Sequence, residues 1–530
     1  MIKILLLIIL LFYSGLMIIN FFKERIELSK IIYLSFPLGI VFHTLIFSLL
    51  VFFNIYYNFT FFAILSIVLS LSLFKRRIKI ENDLKKIPFY LIVIISIFVF
   101  RLIQLGVTGF YDFYNYDEIS AYQNYSNQIY FYNNFSAFYG VYAPINYFLG
   151  TKCYELVGYS INLIRIFSPI FFGLTSFFIY SSLKDKVNRN ISAIISILLL
   201  FSSTELIQLS KTFYTNIFFM YYFIVSIYLI LKYYFIDDKK GIPKLELFIF
   251  FGLLLTRKDA LIFGIFIIIF FSFFNLIKKR INIKDFITIC LFFIMLFLVY
   301  NYFNHLNSGG LGVGNSENNP SVVSRLLERL DYNNIKLFLY NIYDQTFKFG
   351  YYYMNWLIYS VFALSVIITL YVIFNKKYKD KYIRPLLFWS LLFQCGYFLL
   401  IILTQFLFFS LEEFQLAASF SRYTITVIPI SFITVGLFLF NDTSEEEGIN
   451  PLYLFLTIPA VIPIIIEKYI FNKVSFNIIR SIIIYVIFEV IVLLLYKKEK
   501  IKKIIDSNYS LIKCILTILC IIFIIIIFSI

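Results

Sequence analysis

The sequence predicts an all-α polytopic integral membrane protein with about 14–16 transmembrane helices. Of its 530 residues, 61% are hydrophobic and 14% are charged, whereas soluble domains average about 45–50% and about 25%. Apolar runs of about 20 residues recur along the chain, and each can cross a bilayer as a helix whose backbone is hydrogen-bonded internally. Basic residues cluster between these runs. Together the three observations exclude a large water-soluble domain.

The apolar runs also define the order of the helices and three regions of the chain. N-terminal transmembrane helices occupy 1–87, a central region occupies 88–440, and C-terminal transmembrane helices occupy 441–530. The candidate helices lie near 2–20, 31–53, 59–74, 88–105, 160–182, 191–207, 215–231, 245–256, 260–277, 286–303, 353–374, 385–409, 423–440, 451–466, 477–496 and 508–529.

The net charge of +16 is distributed in a way that predicts topology. Most of the Lys and Arg residues fall in short connections, which the positive-inside rule places in the cytoplasm. This pattern argues against a nucleic-acid partner and for the lipid bilayer as the surrounding phase. The basic connections are 23–30, 75–86, 184–189, 232–244, 278–284, 376–384 and 497–503.

Two long segments then belong to the non-cytoplasmic face. The first, 106–159, is polar and rich in Tyr and Asn, and we expect it to form a long outer loop. The second, 304–352, contains apolar residues at near-helical spacing within 322–339, among charged residues. This spacing predicts an amphipathic helix lying on the membrane surface.

The densest group of chemically useful side chains lies in the first outer segment. Asp112, Asp117 and Glu118 fall within seven residues and alternate with aromatic rings up to Tyr122. A carboxylate against apolar ring faces is partly desolvated, which favours a general base, and the rings suit stacking on a sugar or lipid. An ordinary solvated acidic loop explains the same pattern equally well.

A second group interrupts two apolar runs. Arg257, Lys258 and Asp259 are consecutive charges at the predicted outer ends of two short helices. Charges within a membrane span are costly, so such a group favours a functional site drawn into the protein. An interfacial turn whose side chains reach the membrane surface is the alternative.

A third candidate is Arg422, followed by Tyr423. It is the only basic residue of its predicted outer loop, whereas most basic residues lie in the predicted cytoplasmic connections. Glu412 and Glu413 lie near it in sequence. The guanidinium group suits a phosphate or a carboxylate. An ion pair with either glutamate is the structural alternative.

Taken in order, five short motifs resemble those of GT-C membrane glycosyltransferases, in particular the bacterial relatives of protein O-mannosyltransferases and aminoarabinose transferases. The resemblance spans about 90–440 and departs from the family in lacking the histidine of the first motif and in having Asn216 and Ala260 at usually different positions. The motifs lie at 116–122, 142–147, 213–217, 255–261 and 421–423.

The resemblance implies a glycosyltransferase that moves a sugar from a polyprenyl-phosphate donor to a lipid, glycan or protein acceptor, with inversion. Such enzymes act at the outer face of the membrane, here a bacterial inner membrane. Asp117 would be the general base. Arg257, Lys258 and Arg422 would stabilise the leaving phosphate.

The resemblance also assigns supporting roles to neighbouring side chains. These supporting residues are Asp112, Glu118, Asp259, Tyr122 and Tyr423. A monophosphate leaving group attended by cations needs no metal, although a divalent ion at Asp112, Asp117 and Glu118 stays an alternative.

Three other interpretations remain open. A polysaccharide polymerase or ligase also uses lipid-linked sugars, but relies on outer-loop arginines in place of an acidic first loop. A transporter or lipid-linked oligosaccharide flippase predicts charges near mid-span and inverted repeats, neither of which is evident in the sequence. A non-catalytic relative would account for the departures from the motifs.

We predict that Asp117→Asn abolishes sugar transfer while leaving membrane insertion and abundance intact. The reason is that a positioned general base contributes about 10²–10⁴-fold to rate. The measurement is transfer from a polyprenyl-phosphate sugar by membranes that contain equal amounts of each protein. Full activity in the variant would remove Asp117 as the base.

Overall fold

The computed structural model describes most of the chain up to Phe440. All of 441–530, with its three candidate helices, lies outside the described residues. So does most of 109–142. The described residues are 2–23, 25–53, 55–72, 79–83, 87–108, 126, 129–130, 143–158, 162–308, 322–347, 355–374, 382–408, 410–417 and 420–440.

The described part is a helical bundle with two three-residue strands, which confirms the all-α polytopic class. Eight of its helices are long and apolar enough to cross a membrane, or nine if one bent pair counts as a span. The first five helices are α1 (Ile2–Phe22), α2 (Leu28–Phe52), α3 (Phe59–Ser72), α4 (Phe89–Thr108) and α5 (Pro144–Val157).

The remaining helices follow the predicted order, with two short breaks. They are α6 (Phe167–Leu183), α7 (Arg189–Leu200), α8 (Thr204–Ser210), α9 (Thr215–Leu231), α10 (Lys244–Leu254), α11 (Lys258–Ile277), α12 (Ile283–Ser308), α13 (Val322–Arg329), α14 (Tyr332–Phe347), α15 (Trp356–Phe374), α16 (Ile383–Phe408), α17 (Leu411–Gln415), α18 (Phe420–Thr424) and α19 (Ile430–Phe440).

Two predicted helices are broken in the structure. The helix expected over 191–207 is divided into α7 and α8, which meet at 75°. Ser203 begins α8 by accepting a hydrogen bond from the Leu206 amide, an N-cap that starts a new helix. The helix expected over 423–440 is divided into α18 and α19, and Pro429 stands between them. Proline lacks an amide hydrogen and so favours a helix start over a continuous helix.

The first outer segment contains a helix that we did not predict. α5 begins with Pro144 and is buried along most of its length. Its Lys152 is fully buried, lies 2.7 Å from Glu155 and donates to the Tyr57 carbonyl. Because polar and apolar residues alternate irregularly in α5, the sequence has no clear helical stripe. The predicted long loop over 106–159 thus contains a helix at Pro144–Val157, and its place on the outer face stays a prediction.

Five of the predicted basic connections meet at one end of the described bundle, which we call the basic face. Strand Arg25–Glu27 pairs in parallel with Lys79–Glu81, so two connections lie side by side. Lys184, from a third, donates to Ser29 and forms ion pairs with Asp83 and Glu27.

Two further connections join the same face. Lys23 forms an ion pair with Glu246 at 3.2 Å, next to the 232–244 connection. The Gly241 amide donates to the Arg280 carbonyl, which brings in the 278–284 connection. Five of the seven predicted basic connections thus share one side, as the alternation of spans requires.

The segment expected to hold a surface helix forms two helices, α13 and α14. The expected apolar stripe is not buried: Leu327 and Leu330 are exposed, whereas Arg329 is buried and donates to the Phe406 carbonyl. Phe338 anchors α14 by stacking on Phe414 at 4.5 Å between centroids. Contact of the exposed leucines with lipid stays a prediction.

Candidate functional site

The candidate site is built where α10 ends and α11 begins. α10 has only 11 residues, a length of about 16 Å, against about 30 Å for a bilayer core. The turn after it is therefore drawn into the bundle, and Thr256 and Arg257 are buried. The burial of Arg257 agrees with the expectation that the charged turn is drawn into the protein. The expectation of two short helices is met only by α10, because α11 has 20 residues and is long enough to cross a membrane.

Arg257 and Asp259 form a bidentate ion pair within this turn. Arg257 Nε donates to Asp259 Oδ1 at 2.9 Å, and Nη2 donates to Oδ2 at 2.6 Å. Tyr397 on α16 donates its hydroxyl to the same Oδ2 at 2.9 Å. Two charge-assisted bonds and a third donor hold the carboxylate in a single orientation. Asp259 therefore positions Arg257.

The second charged turn meets the first at the ring of Tyr423. The guanidinium carbon of Arg257 lies 4.1 Å from the ring centroid, and that of Arg422 lies 5.3 Å from it. Arg422 also lies 5.1 Å from the Tyr214 centroid. Two cations that are far apart in sequence thus contact one aromatic ring, an arrangement stabilised by cation–π attraction. Asp259 neutralises Arg257, and Glu205 lies close enough to Arg422 to interact with its charge.

The loop that carries Arg422 is fixed by a polar network. Asn216 Nδ2 donates to the Arg422 carbonyl at 2.9 Å. Ser421 Oγ donates to the buried carboxylate of Glu205 at 2.7 Å, and Asn355 Nδ2 donates to it at 3.0 Å. The network joins α8, α9, α15 and α18, so the backbone at Arg422 is held from several directions.

One donor of Arg257 has no acceptor. Nη1 is buried without a hydrogen-bond partner among the described residues. Burial disfavours the charged guanidinium, but Asp259 more than offsets it and raises the pKa of Arg257 above its usual value. A buried, permanently charged donor without an acceptor is costly. The geometry therefore suits an anionic ligand at Nη1.

Lys258 occupies the head of an apolar stripe on α11. Ile262, Phe266 and Phe270 follow it at intervals of four residues and so lie on the same side of the helix. These three side chains line an apolar groove of about 450 Å³ between α11 and α12, which also includes Phe286. Lys258 itself is partly buried. A cation thus stands at one end of a groove without charged lining residues.

The acidic group of the first outer segment lies outside the described residues, and so does Tyr122. Its acids are Asp112, Asp117 and Glu118. Their roles, and a divalent ion at the three acids, stay predictions. Within the described ranges, no group of three or more His, Cys, Asp or Glu side chains could hold a metal ion.

Tyr397 and Asn355 contact the site but were not candidates from the sequence. Tyr397 lies in α16 and Asn355 directly precedes α15. A lone tyrosine or asparagine beside an apolar run gives no motif. Glu205 is an acid near a predicted outer helix end, where the sequence indicates structural ion pairing at least as strongly as catalysis. Only the fold shows that its carboxylate accepts hydrogen bonds from both Ser421 and Asn355.

Comparison with known proteins identifies no relative: no family model, curated protein or solved structure matches the chain.

We predict that Asp259→Asn destabilises the protein more than Tyr397→Phe does. The first change leaves Arg257 without its counter-ion, which costs about 3–5 kcal/mol for a fully buried pair and less here because Asp259 is partly exposed. The second removes one hydrogen bond, worth about 1 kcal/mol. Thermal unfolding of both variants in one detergent measures the difference. Equal shifts in the unfolding midpoint would contradict the positioning role of Asp259.

Proposed function

We propose that this protein is a glycosyltransferase that uses a polyprenyl-phosphate sugar as donor at the membrane face opposite the basic connections. The observation that carries the proposal is the meeting of Arg257 and Arg422 on the Tyr423 ring. Nη1 of Arg257 has no acceptor among the described residues. This donor and the two guanidinium groups suit a phosphate group that gains negative charge as the sugar leaves.

The lipid part of the donor is supported by α11. The groove below Lys258 is lined by aliphatic and aromatic side chains, which an isoprenoid chain would contact. A lysine at the head of such a groove suits a phosphate attached to that chain. The headgroup would then lie near Arg257, the residue that directly precedes Lys258.

Asp117 completes the proposed chemistry. Its carboxylate would take the proton from the acceptor nucleophile while the nucleophile attacks the anomeric carbon and the bond to the phosphate oxygen breaks. The phosphate leaves as a monoester anion, and Arg257, Lys258 and Arg422 stabilise it. The acceptor, whether lipid, glycan or protein, contributes the nucleophilic oxygen or nitrogen. This single displacement inverts the anomeric carbon.

A polysaccharide polymerase or ligase is the second candidate, and the paired arginines favour it as well. Both candidates use lipid-linked sugars and cations at the outer face. They differ in the acid, because only the proposed transferase depends on Asp117 as a base. Loss of transfer in Asp117→Asn favours the transferase, whereas retained transfer that still requires Arg257 and Arg422 favours the ligase.

We predict that Arg422→Ala lowers kcat/KM for the polyprenyl-phosphate donor by about 10- to 100-fold, the value of a charge-assisted hydrogen bond. Arg422→Lys should recover only part of this loss, because an ammonium keeps the charge but not the planar guanidinium on Tyr423. The measurement is initial rate against donor concentration in proteoliposomes.

Arg101→Ala is the matched control, because Arg101 donates to Gln104 within its own helix. We expect its donor dependence to equal that of the wild type. An Arg422→Ala protein with unchanged donor dependence would reject the phosphate-binding role of Arg422.

A further inference from the structure

A cavity on the basic face lies at the opposite end of the bundle from the candidate site. Its volume is about 190 Å³, several times the roughly 30 Å³ that a water molecule occupies. The walls come from the connection between α1 and α2, the start of α2, the ends of α6 and α9, the 232–244 connection and the start of α10. Segments from separate parts of the chain thus form a cavity that is large enough for a small anionic group.

The charges that line the cavity are predominantly positive. Five cations face two acids, so the lining carries an excess of positive charge. Lys23 forms an ion pair with Glu246 at 3.2 Å, and Lys239 pairs with Asp237 at 3.4 Å. The lining cations are Lys23, Arg25, Lys30, Lys232 and Lys239, and the lining acids are Asp237 and Glu246.

Three polar groups of the lining are not used within the fold. The side chains of Arg25, which is exposed, and of Lys232, which is half-buried, form no ion pair or hydrogen bond with any described residue. Lys30 pairs with Glu27, which lies outside the lining.

Ser182 is more than nine-tenths buried and lies beside Tyr228, whose hydroxyl donates to the Ser182 carbonyl at 3.2 Å. The Ser182 hydroxyl itself has no hydrogen bond within 3.5 Å among the described residues. Two cations and a buried hydroxyl around one cavity are suited to the oxygens of a phosphate group.

We propose that this cavity binds a phosphate group, carried by an anionic membrane lipid. The phosphate would contact Arg25, Lys232 and the Ser182 hydroxyl. Ile26 and Leu34 also line the cavity and would contact the glycerol and the first acyl carbons. A basic pocket at the membrane boundary between helix ends is suited to an anionic headgroup. This site does not depend on the proposed transferase activity.

The test is binding of lipid to the full, delipidated chain in a neutral detergent, measured by native mass spectrometry. Phosphatidylglycerol is the probe, and phosphatidylcholine is the zwitterionic comparison. The double variant Arg25→Gln, Lys232→Gln should weaken phosphatidylglycerol binding about tenfold or more. It should leave the weaker phosphatidylcholine binding within twofold of the wild-type value.

The matched control is Lys186→Gln, Lys284→Gln, which removes two exposed cations from the same face without touching the cavity. It should bind phosphatidylglycerol as the wild type does. Arg25→Gln with Lys232→Arg keeps the charge of the half-buried lysine and should lose less affinity than the double Gln variant. Comparison of the two double variants separates loss of charge from misfolding. Size-exclusion chromatography checks that each variant is folded.

Inorganic phosphate identifies the source of the group. If millimolar phosphate fails to displace phosphatidylglycerol, the lipid is the ligand. If phosphate instead displaces the lipid and raises the unfolding temperature of the wild type but not of the double Gln variant, the site binds free phosphate. That outcome would overturn the lipid assignment. The proposal would be overturned if the double Gln variant bound phosphatidylglycerol as tightly as the wild type. It would also be overturned if the Lys186, Lys284 control lost as much phosphatidylglycerol affinity as the double Gln variant.

Discussion

The cost of holding a cation inside an apolar bundle determines where the charges of this chain lie. Arg257 shows how that cost is met. Its guanidinium is buried, but Asp259 neutralises it through two hydrogen bonds and Tyr423 covers it. Tyr397 then fixes Asp259. Because each partner comes from a different part of the chain, this one ion pair joins α11, α16 and the loop at Arg422, and the candidate site depends on it.

The same constraint separates the two ends of the bundle. At the basic face, Lys184 pairs with Asp83 and Glu27. Burial alone raises the pKa of Asp83, but hydrogen bonds from Lys184 and Ser29 outweigh this effect, so the pKa is lowered. At the other end, Arg257 keeps one donor without an acceptor among the described residues. The charges of Lys184, Asp83 and Glu27 are balanced within the fold. The donor of Arg257 leaves a place for an anion.

Composition and charge placement were enough to predict a polytopic helical bundle. Charges that interrupt apolar runs made Arg257, Lys258 and Asp259 candidates, and a lone basic residue in a predicted outer loop made Arg422 one. These patterns can be recognised in local sequence, because a charge within an apolar run is costly in a membrane and is therefore uncommon. α5 could not be predicted in this way, because its irregular mixture of polar and apolar residues has no periodicity. The contact of Tyr397 with Asp259 depends on long-range packing, which leaves no local pattern.

The most direct test of the account is a cryo-electron microscopy structure of the full chain in lipid nanodiscs with a non-transferable polyprenyl-phosphate sugar analogue. The account predicts phosphate oxygens within hydrogen-bond distance, about 3 Å, of Arg257 and Arg422, with the lipid chain along the α11 groove. The Asp117 carboxylate should face the anomeric carbon from the side opposite the phosphate. A phosphate bound away from both arginines, or an Asp117 on another surface, would contradict it.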